Sequence, residues 1–316
     1  MEEAKVDYYS QVDFLKPAGE ASLIPPDSPQ WYITKNPITT TIGAGAAVLF
    51  EFADPRIRSG VWDHSVFKID PAGRGQRTAI VGAAGIYGPA SMARRLIGNV
   101  NRMHAKVKGT TPSGEAYSAI EPELLDWVSA TAAYSIVEAY HRYVRPVSRE
   151  ERAQYYKDGH VVARLFGVRE VLNCDEDFFN MLERLLPRFE AHEINSEFLD
   201  MAMGRKEGRK FSNFLMHPMV RAGIAILPPS VREAMKLGKE YDFSATDRFI
   251  VRTVARIADQ IPSSKSAAWQ GAVRVGLPGN FAWLSKERQR AILASRPPLR
   301  APETAVDAAA SGQHAA

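Results

Sequence analysis

Apolar residues recur at helical spacing through most of this chain, and the alternating pattern typical of β-strands is scarce. The longest helix is predicted over 121–145, because a proline and acidic residues in its first turn precede apolar side chains at every fourth position. A capping box, Ser148-Arg149-Glu150-Glu151, begins another helix that is predicted to end near Gly167. Further helices are predicted over 89–107, from Asp175 to about 190, from Ser244 to Ile261 and from Ser285 onward. These elements predict an all-α fold class.

Three segments are predicted along the chain. Residues 1–30 contain four prolines and are expected to form an irregular N-terminal arm, since proline disrupts helices. Residues 31–296 are expected to form a single multi-helix globular domain, which is long enough to bury a sizeable core. Residues 297–316 are rich in proline and alanine and are expected to be a disordered tail.

The composition narrows the class of protein. Hydrophobic residues make up 45% of the chain and charged residues 24%, which is typical of a globular protein. The single cysteine, Cys174, excludes an internal disulfide, and a lone thiol is typical of a reducing compartment. No apolar run reaches the roughly 18 residues that a membrane span requires, and the acidic start lacks the basic region of a secretory signal. A cytoplasmic protein without a membrane span is therefore expected.

The positive charge is small and scattered. The formal net charge is +4, and the basic residues occur in short groups such as Arg94-Arg95. No helix is predicted to carry a long basic stripe with stacking aromatic residues, so nucleic acid is not an expected partner.

Three glycines, Gly82, Gly85 and Gly88, have a spacing that resembles a nucleotide-binding loop. Such a loop needs a buried strand before it and an acidic residue about 20 positions later. The preceding residues, 74–78, do not read as a strand, and residues 100–108 contain no acid. The favoured interpretation is that small residues let this helix approach a neighbour or a flat ligand closely.

Among seven histidines, His104 is the most informative, because it lies beside an apolar stripe of the helix predicted over 89–107. A core histidine and a ligand both fit this position. His64 lies in a stretch that resembles a loop, beside Asp63. Arg74 and Thr78 are four residues apart and would share one helix face, where they could bind an oxyanion or simply lie at the surface.

Several segments, taken in order, carry a resemblance to a known family. They are Trp62-Asp63-His64-Ser65, Asp70-Pro71, Arg74, Gln76-Arg77-Thr78, Tyr87-Gly88, Asn101-Arg102-Met103-His104, Gly114-Glu115-Ala116-Tyr117, Pro122-Glu123-Leu124-Leu125-Asp126-Trp127 and Ala139-Tyr140-His141-Arg142-Tyr143. This order resembles the oxygenases that include bacterial latex-clearing proteins (rubber oxygenases) and the fungal oxygenase of mycophenolic acid biosynthesis. The resemblance is clearest from about 50 to 167, and a weaker echo extends it to about 276.

The resemblance implies an all-helical fold that holds a b-type haem. The family's arginine and threonine match Arg74 and Thr78, and its proximal iron ligand, a histidine after a methionine, matches His104. Latex-clearing members can place a lysine just before the threonine; here that residue is Arg77, which keeps its proton and cannot ligate iron. Many relatives carry histidine where this chain has Asp54 and Ser129.

The leading hypothesis is a haem b-dependent oxygenase that uses dioxygen on an apolar substrate, such as a terpenoid or an unsaturated lipid. His104 would be the iron ligand, Arg74 and Thr78 would line the polar side of the pocket, and Arg77 and His64 are weaker distal candidates. Three alternatives stay open: a haem-binding or sensing protein without turnover, a structural α-domain that has lost its cofactor, and a nucleotide-binding protein.

Overall fold

The computed structural model describes residues 12–64, 70–204 and 213–296, and within these ranges the chain is almost entirely helical. The predicted all-α class is confirmed. The helices are α1 (Pro29–Thr34), α2 (Pro37–Ala53), α3 (Pro55–His64), α4 (Pro71–Tyr87), α5 (Ala90–His104), α6 (Pro122–Tyr143), α7 (Arg149–Leu165), α8 (Asp175–Leu185), α9 (Glu193–Ala202), α10 (Asn213–Ile224), α11 (Pro229–Ala234), α12 (Ala245–Gln260), α13 (Ala267–Arg274) and α14 (Lys286–Ala294). A short antiparallel hairpin, β1 (Lys108–Thr110) and β2 (Ala116–Ser118), lies between α5 and α6.

Helix starts follow the local sequence closely. Both serine capping boxes form, with the Ser148 side chain accepting from the Glu151 N–H and the Ser244 side chain from the Asp247 N–H. At α8 the cap position is occupied by Cys174, one residue before the predicted start at Asp175. The predicted tail, 297–316, lies outside the described residues.

Helices α2 and α6 form the centre of the main core. Gly43 of α2 lies so close to α6 that a side chain there would place its Cβ 2.7 Å from the Cα of Ile136. Aromatic rings fill the adjoining layer: the Tyr134 and Phe178 rings stack with centroids 3.9 Å apart, and Trp127 stacks on Phe178 at 5.5 Å. This core fixes the helices that surround the candidate site.

A second apolar cluster joins the N-terminal arm to α13 and α4. Trp31 and Tyr87 are both buried and meet edge to face, with ring centroids 5.0 Å apart. Arg274 of α13 is 3% exposed, and its guanidinium donates to the carbonyls of Phe14 and Glu20 and to the Ser22 hydroxyl. The arm and α13 are therefore fastened to each other beside the end of α4. We call the contacts of Arg274 with the arm the Arg274 clasp.

Candidate functional site

The predicted pair Arg74 and Thr78 lies on the first half of α4. This helix begins at Pro71 after the cap residue Asp70, whose carboxylate accepts from the Gly73 N–H. Thr78 is exposed, and its hydroxyl donates to the Arg74 carbonyl at 3.1 Å. The two residues share a helix face as predicted, but the Thr78 hydroxyl is engaged by its own helix.

Arg77 points back toward the start of the same helix. Its Nη1 lies 3.4 Å from the Oδ2 of Asp70, and its side chain is 36% exposed. His64, the last residue of α3, is also exposed, and its ring meets that of Tyr117 in the hairpin at 6.2 Å. Both weaker distal candidates therefore lie at the surface of the described structure.

His104 is the last residue of α5, and the structure places it partly inside the protein. Its Nδ1 is buried and has no hydrogen-bond partner among the described residues. Burial lowers the pKa of the His104 imidazole, and the nearby positive charge of Arg74 lowers it further. Both effects favour the neutral imidazole, which is the form that ligates a metal.

A cleft of ≈ 230 Å³ adjoins His104. Ile120, Leu125 and Phe166 form its apolar wall. Met103, predicted to lie on the buried stripe of α5, is instead 50% exposed, because the helix ends at the next residue and no described element covers it. Asn101, His104 and Arg169 supply the polar part of the lining, and a cleft that combines an apolar wall with a few polar groups is typical of a ligand site.

Glu51 of α2 is a residue whose place in this site the sequence analysis missed. The Thr131 hydroxyl of α6 donates to Glu51 Oε1 at 3.3 Å. Burial raises the pKa of the Glu51 carboxyl to about 7, against the opposing effect of the positive charge of Arg74. The only sequence signal for Glu51 was its position as an acidic residue near the end of an apolar helical run. An acid at that position is typical of the end of such a run, so it did not indicate a buried carboxyl.

The positive charge of Arg74 affects both Glu51 and His104. Its pKa is lowered by burial, while the charge of Glu51 acts in the opposite direction. The same positive charge influences His104, which belongs to a different helix. The fold thus brings α2, α4 and α5 together so that one arginine faces a titratable carboxyl and a neutral imidazole.

The glycine spacing of α4 does not form a nucleotide-binding loop. Gly82 and Gly85 lie inside the helix, and Gly88 is its C-cap, so the interpretation as a phosphate-binding turn is wrong. Gly85 allows a close approach, since a Cβ there would lie 3.1 Å from the Val162 side chain of α7. A Cβ at Gly82 would meet nothing within 4 Å.

Asp54, which stands where many relatives carry histidine, forms a buried ion pair. Its carboxylate binds the Arg56 guanidinium at 2.7 Å, and the same guanidinium reaches Glu123 at the start of α6, also at 2.7 Å. Through Arg56, the aspartate at this position thus takes part in a structural link between α3 and α6.

Residues 31–260 match the family model described as "ER-bound oxygenase mpaB/B'/Rubber oxygenase, catalytic domain". This match covers most of the chain, and the protein therefore belongs to that oxygenase family. Membership supports an oxygenase-type activity. No curated protein and no solved structure gives a match.

The described residues contain neither a membrane-spanning helix nor a cluster of metal-binding side chains. None of the helices in this part of the chain is long and apolar enough to cross a bilayer. Over the same ranges, no group of three or more histidine, cysteine and acidic side chains is arranged to hold a metal ion.

Proposed function

We propose that this protein is a haem b-dependent oxygenase that adds dioxygen to an apolar, unsaturated substrate. The observation that carries the proposal is His104: an imidazole whose buried Nδ1 has no hydrogen-bond partner among the described residues, placed beside a cleft with an apolar wall in a member of an oxygenase family. A neutral imidazole can ligate haem iron, and a nearby cation can balance the charge of a propionate.

Each residue would then have a distinct task. His104 would hold the iron, and Arg74 would balance the negative charge of a propionate or of the substrate's polar end. When bound, haem supplies dioxygen binding and oxygen transfer to a carbon–carbon double bond, which splits into two carbonyl groups. Thr78 could contribute a hydroxyl to the polar side of the pocket only after exchanging its bond to the Arg74 carbonyl.

The surroundings of the cleft would select the substrate. Ile120, Leu125 and Phe166 offer apolar surface, so a terpenoid or an unsaturated lipid is the substrate class that they favour. Glu51, with a pKa of about 7, can hold or release a proton near neutral pH beside Arg74. The free thiol of Cys174 agrees with a cytoplasmic location.

The absorption spectrum of the purified protein, produced with added haem precursor, tests this proposal. We expect a Soret band that shifts on reduction and on binding of carbon monoxide. His104→Ala should lose most bound haem, whereas His64→Ala, a matched change at an exposed histidine, should retain it. Full haem content and an unchanged spectrum in His104→Ala would overturn the ligand assignment, and a colourless protein would overturn the haem proposal.

A second candidate function is a haem-binding or sensing protein without turnover. It is favoured by Arg77, which stands at the lysine position of latex-clearing members and is paired with Asp70. Oxygen consumption by the haem-loaded protein with terpenoid and unsaturated lipid substrates distinguishes the two. Consumption with a carbonyl product supports the oxygenase, and its absence with every substrate supports the sensor.

A further inference from the structure

Helix α12 has an exposed face that carries large apolar side chains. Its opposite face is buried through Asp247, Val251 and Ala255, and the helix packs on α2, α6 and α10. Phe249 is 72% exposed, Ile257 is 55% exposed, and Ile261, at the end of the helix, is 59% exposed. These three side chains span about 18 Å along the axis at about 1.5 Å per residue. We call this surface the α12 face.

A row of arginines borders the apolar part of the α12 face. Arg248, Arg252 and Arg256 recur at four-residue spacing and therefore lie on one side of the helix. No basic row was predicted here, because three other residues separate each arginine from the next in the sequence. A shallow depression of ≈ 690 Å³ is lined by these arginines together with Phe249, Thr253 and Ile257.

Two of the three arginines are held in place by backbone carbonyls. Arg252 Nε donates to the carbonyl of Arg142 at 3.1 Å, and Arg256 Nε donates to that of Val144 at 3.1 Å, both at the end of α6. Across the described ranges, none of the three arginines pairs with a carboxylate. Within the described ranges, the charges of Arg252 and Arg256 are therefore held in position without a pairing carboxylate.

The carboxylates close to α12 are already engaged. Asp247 pairs with Arg221 at 3.3 Å, and Asp259 pairs with Lys35 at 2.7 Å. The α12 face thus combines a row of fixed positive charge with protruding apolar side chains. Its complement must carry negative charge and accept apolar groups.

We propose that the α12 face docks on a membrane surface that contains anionic lipids. Arginines attract lipid phosphates and carboxylates, while Phe249, Ile257 and Ile261 can enter the boundary of the acyl chains. A second copy of the chain would bring two rows of arginine together without acids between them. Nucleic acid would match the charge, but aliphatic isoleucine side chains do not stack on bases.

Co-sedimentation of the full chain with vesicles tests the proposal. We expect binding to vesicles of phosphatidylcholine mixed with phosphatidylserine, weak binding to phosphatidylcholine alone, and release by salt. Removing both charges in Arg252→Gln/Arg256→Gln should weaken binding by about fivefold for each arginine removed. Phe249→Ser should also weaken binding, because it removes a side chain that inserts.

Matched control variants distinguish binding through the α12 face from nonspecific binding to vesicles. Phe214→Ser changes another exposed phenylalanine, 71% exposed, and Arg94→Gln/Arg95→Gln removes two exposed arginines of α5; both should bind as the unchanged protein does. Arg252→Lys/Arg256→Lys keeps the charge and should retain most binding, which guards against misfolding of the glutamine variant.

Three outcomes would overturn the proposal. They are equal binding to neutral and anionic vesicles, equal loss in the control variants, and binding to an acidic protein or an oligonucleotide without binding to anionic vesicles. A change of oligomeric state on Phe249→Ser would instead assign the face to a second copy. The haem content plays no part in these measurements, so they stand apart from the proposed oxygenase activity.

Discussion

Two arginines, the half-buried Arg74 and the buried Arg274, have opposite kinds of surroundings. Every group that Arg274 binds is a neutral oxygen, and its three nitrogens each donate to one of them. Arg74 instead faces the titratable carboxyl of Glu51 and lies close enough to His104 to lower the pKa of its imidazole. The first arrangement fastens two segments, while the second holds charges that can change state.

The largest expected effect on stability is that of breaking the Arg274 clasp. Arg274→Ala removes three donors and leaves the carbonyls of Phe14 and Glu20 without them, so the free energy of unfolding should fall by about 3–4 kcal/mol. Denaturation in urea measures it. Arg274→Lys should recover only part of the loss, because an ammonium cannot match the spread of three nitrogens. If the alanine variant were as stable as the unchanged protein, Arg274 would not be the residue that fastens the arm to α13.

Glu51→Gln should stabilise the protein, by an amount that depends on pH. The pKa of Glu51 is raised from 4.5 to about 7 in the folded protein, so folding favours the protonated form. Stability therefore falls as pH rises from about 4.5 to 7 and then levels off. Glutamine cannot ionise, and the variant should gain about 2 kcal/mol at pH 8 but nothing at pH 4.5.

Unfolding measured at both pH values checks this prediction. Glu123→Gln provides a matched control, since Glu123 also faces an arginine but its side chain is 56% exposed. A gain of equal size at both pH values would show that the charge of Glu51 is not the cause.

His104→Ala should change the stability of the haem-free protein by less than about 1 kcal/mol. The imidazole is only partly buried, and its Nδ1 contributes no hydrogen bond within the described residues. Thermal unfolding of the haem-free form measures the effect. A loss as large as that of Arg274→Ala would mean that His104 supports the core rather than a ligand.

Met103→Ser should have the smallest effect, below about 0.5 kcal/mol, because the side chain is half exposed and packs on little. Haem content should fall slightly if Met103 covers part of the bound group. A large destabilisation in the haem-free form would show that α5 is packed more tightly than its exposure indicates.

Local patterns predicted much of the fold. Serine capping boxes, a proline in the first turn of α6 and apolar periodicity were enough to predict six of the fourteen described helices, because these signals lie within a few residues of the element that they specify. The segments around Arg74 and His104 also pointed to the right family.

Contacts between residues far apart in the sequence could not be predicted from local patterns. Glu20 and Arg274 are 254 positions apart, and nothing in either segment signals the other. The role of Glu51 depends on which helices surround it, and the exposure of Met103 depends on where α5 ends. The helical period of α12 likewise predicts an apolar side, but Phe249 and Ile257 lie on its outer face.

The Arg274 clasp also bears on how this chain is divided for experiments. Both of its sides, the arm before residue 31 and helix α13, lie outside the segment that matches the family model. Truncating the protein to that segment would remove the residues that bury Trp31 and Tyr87. The end of α4 would then be exposed. The smallest fragment worth producing therefore runs from before Phe14 to beyond α14, and both flanks belong to the folded unit of this member of the oxygenase family.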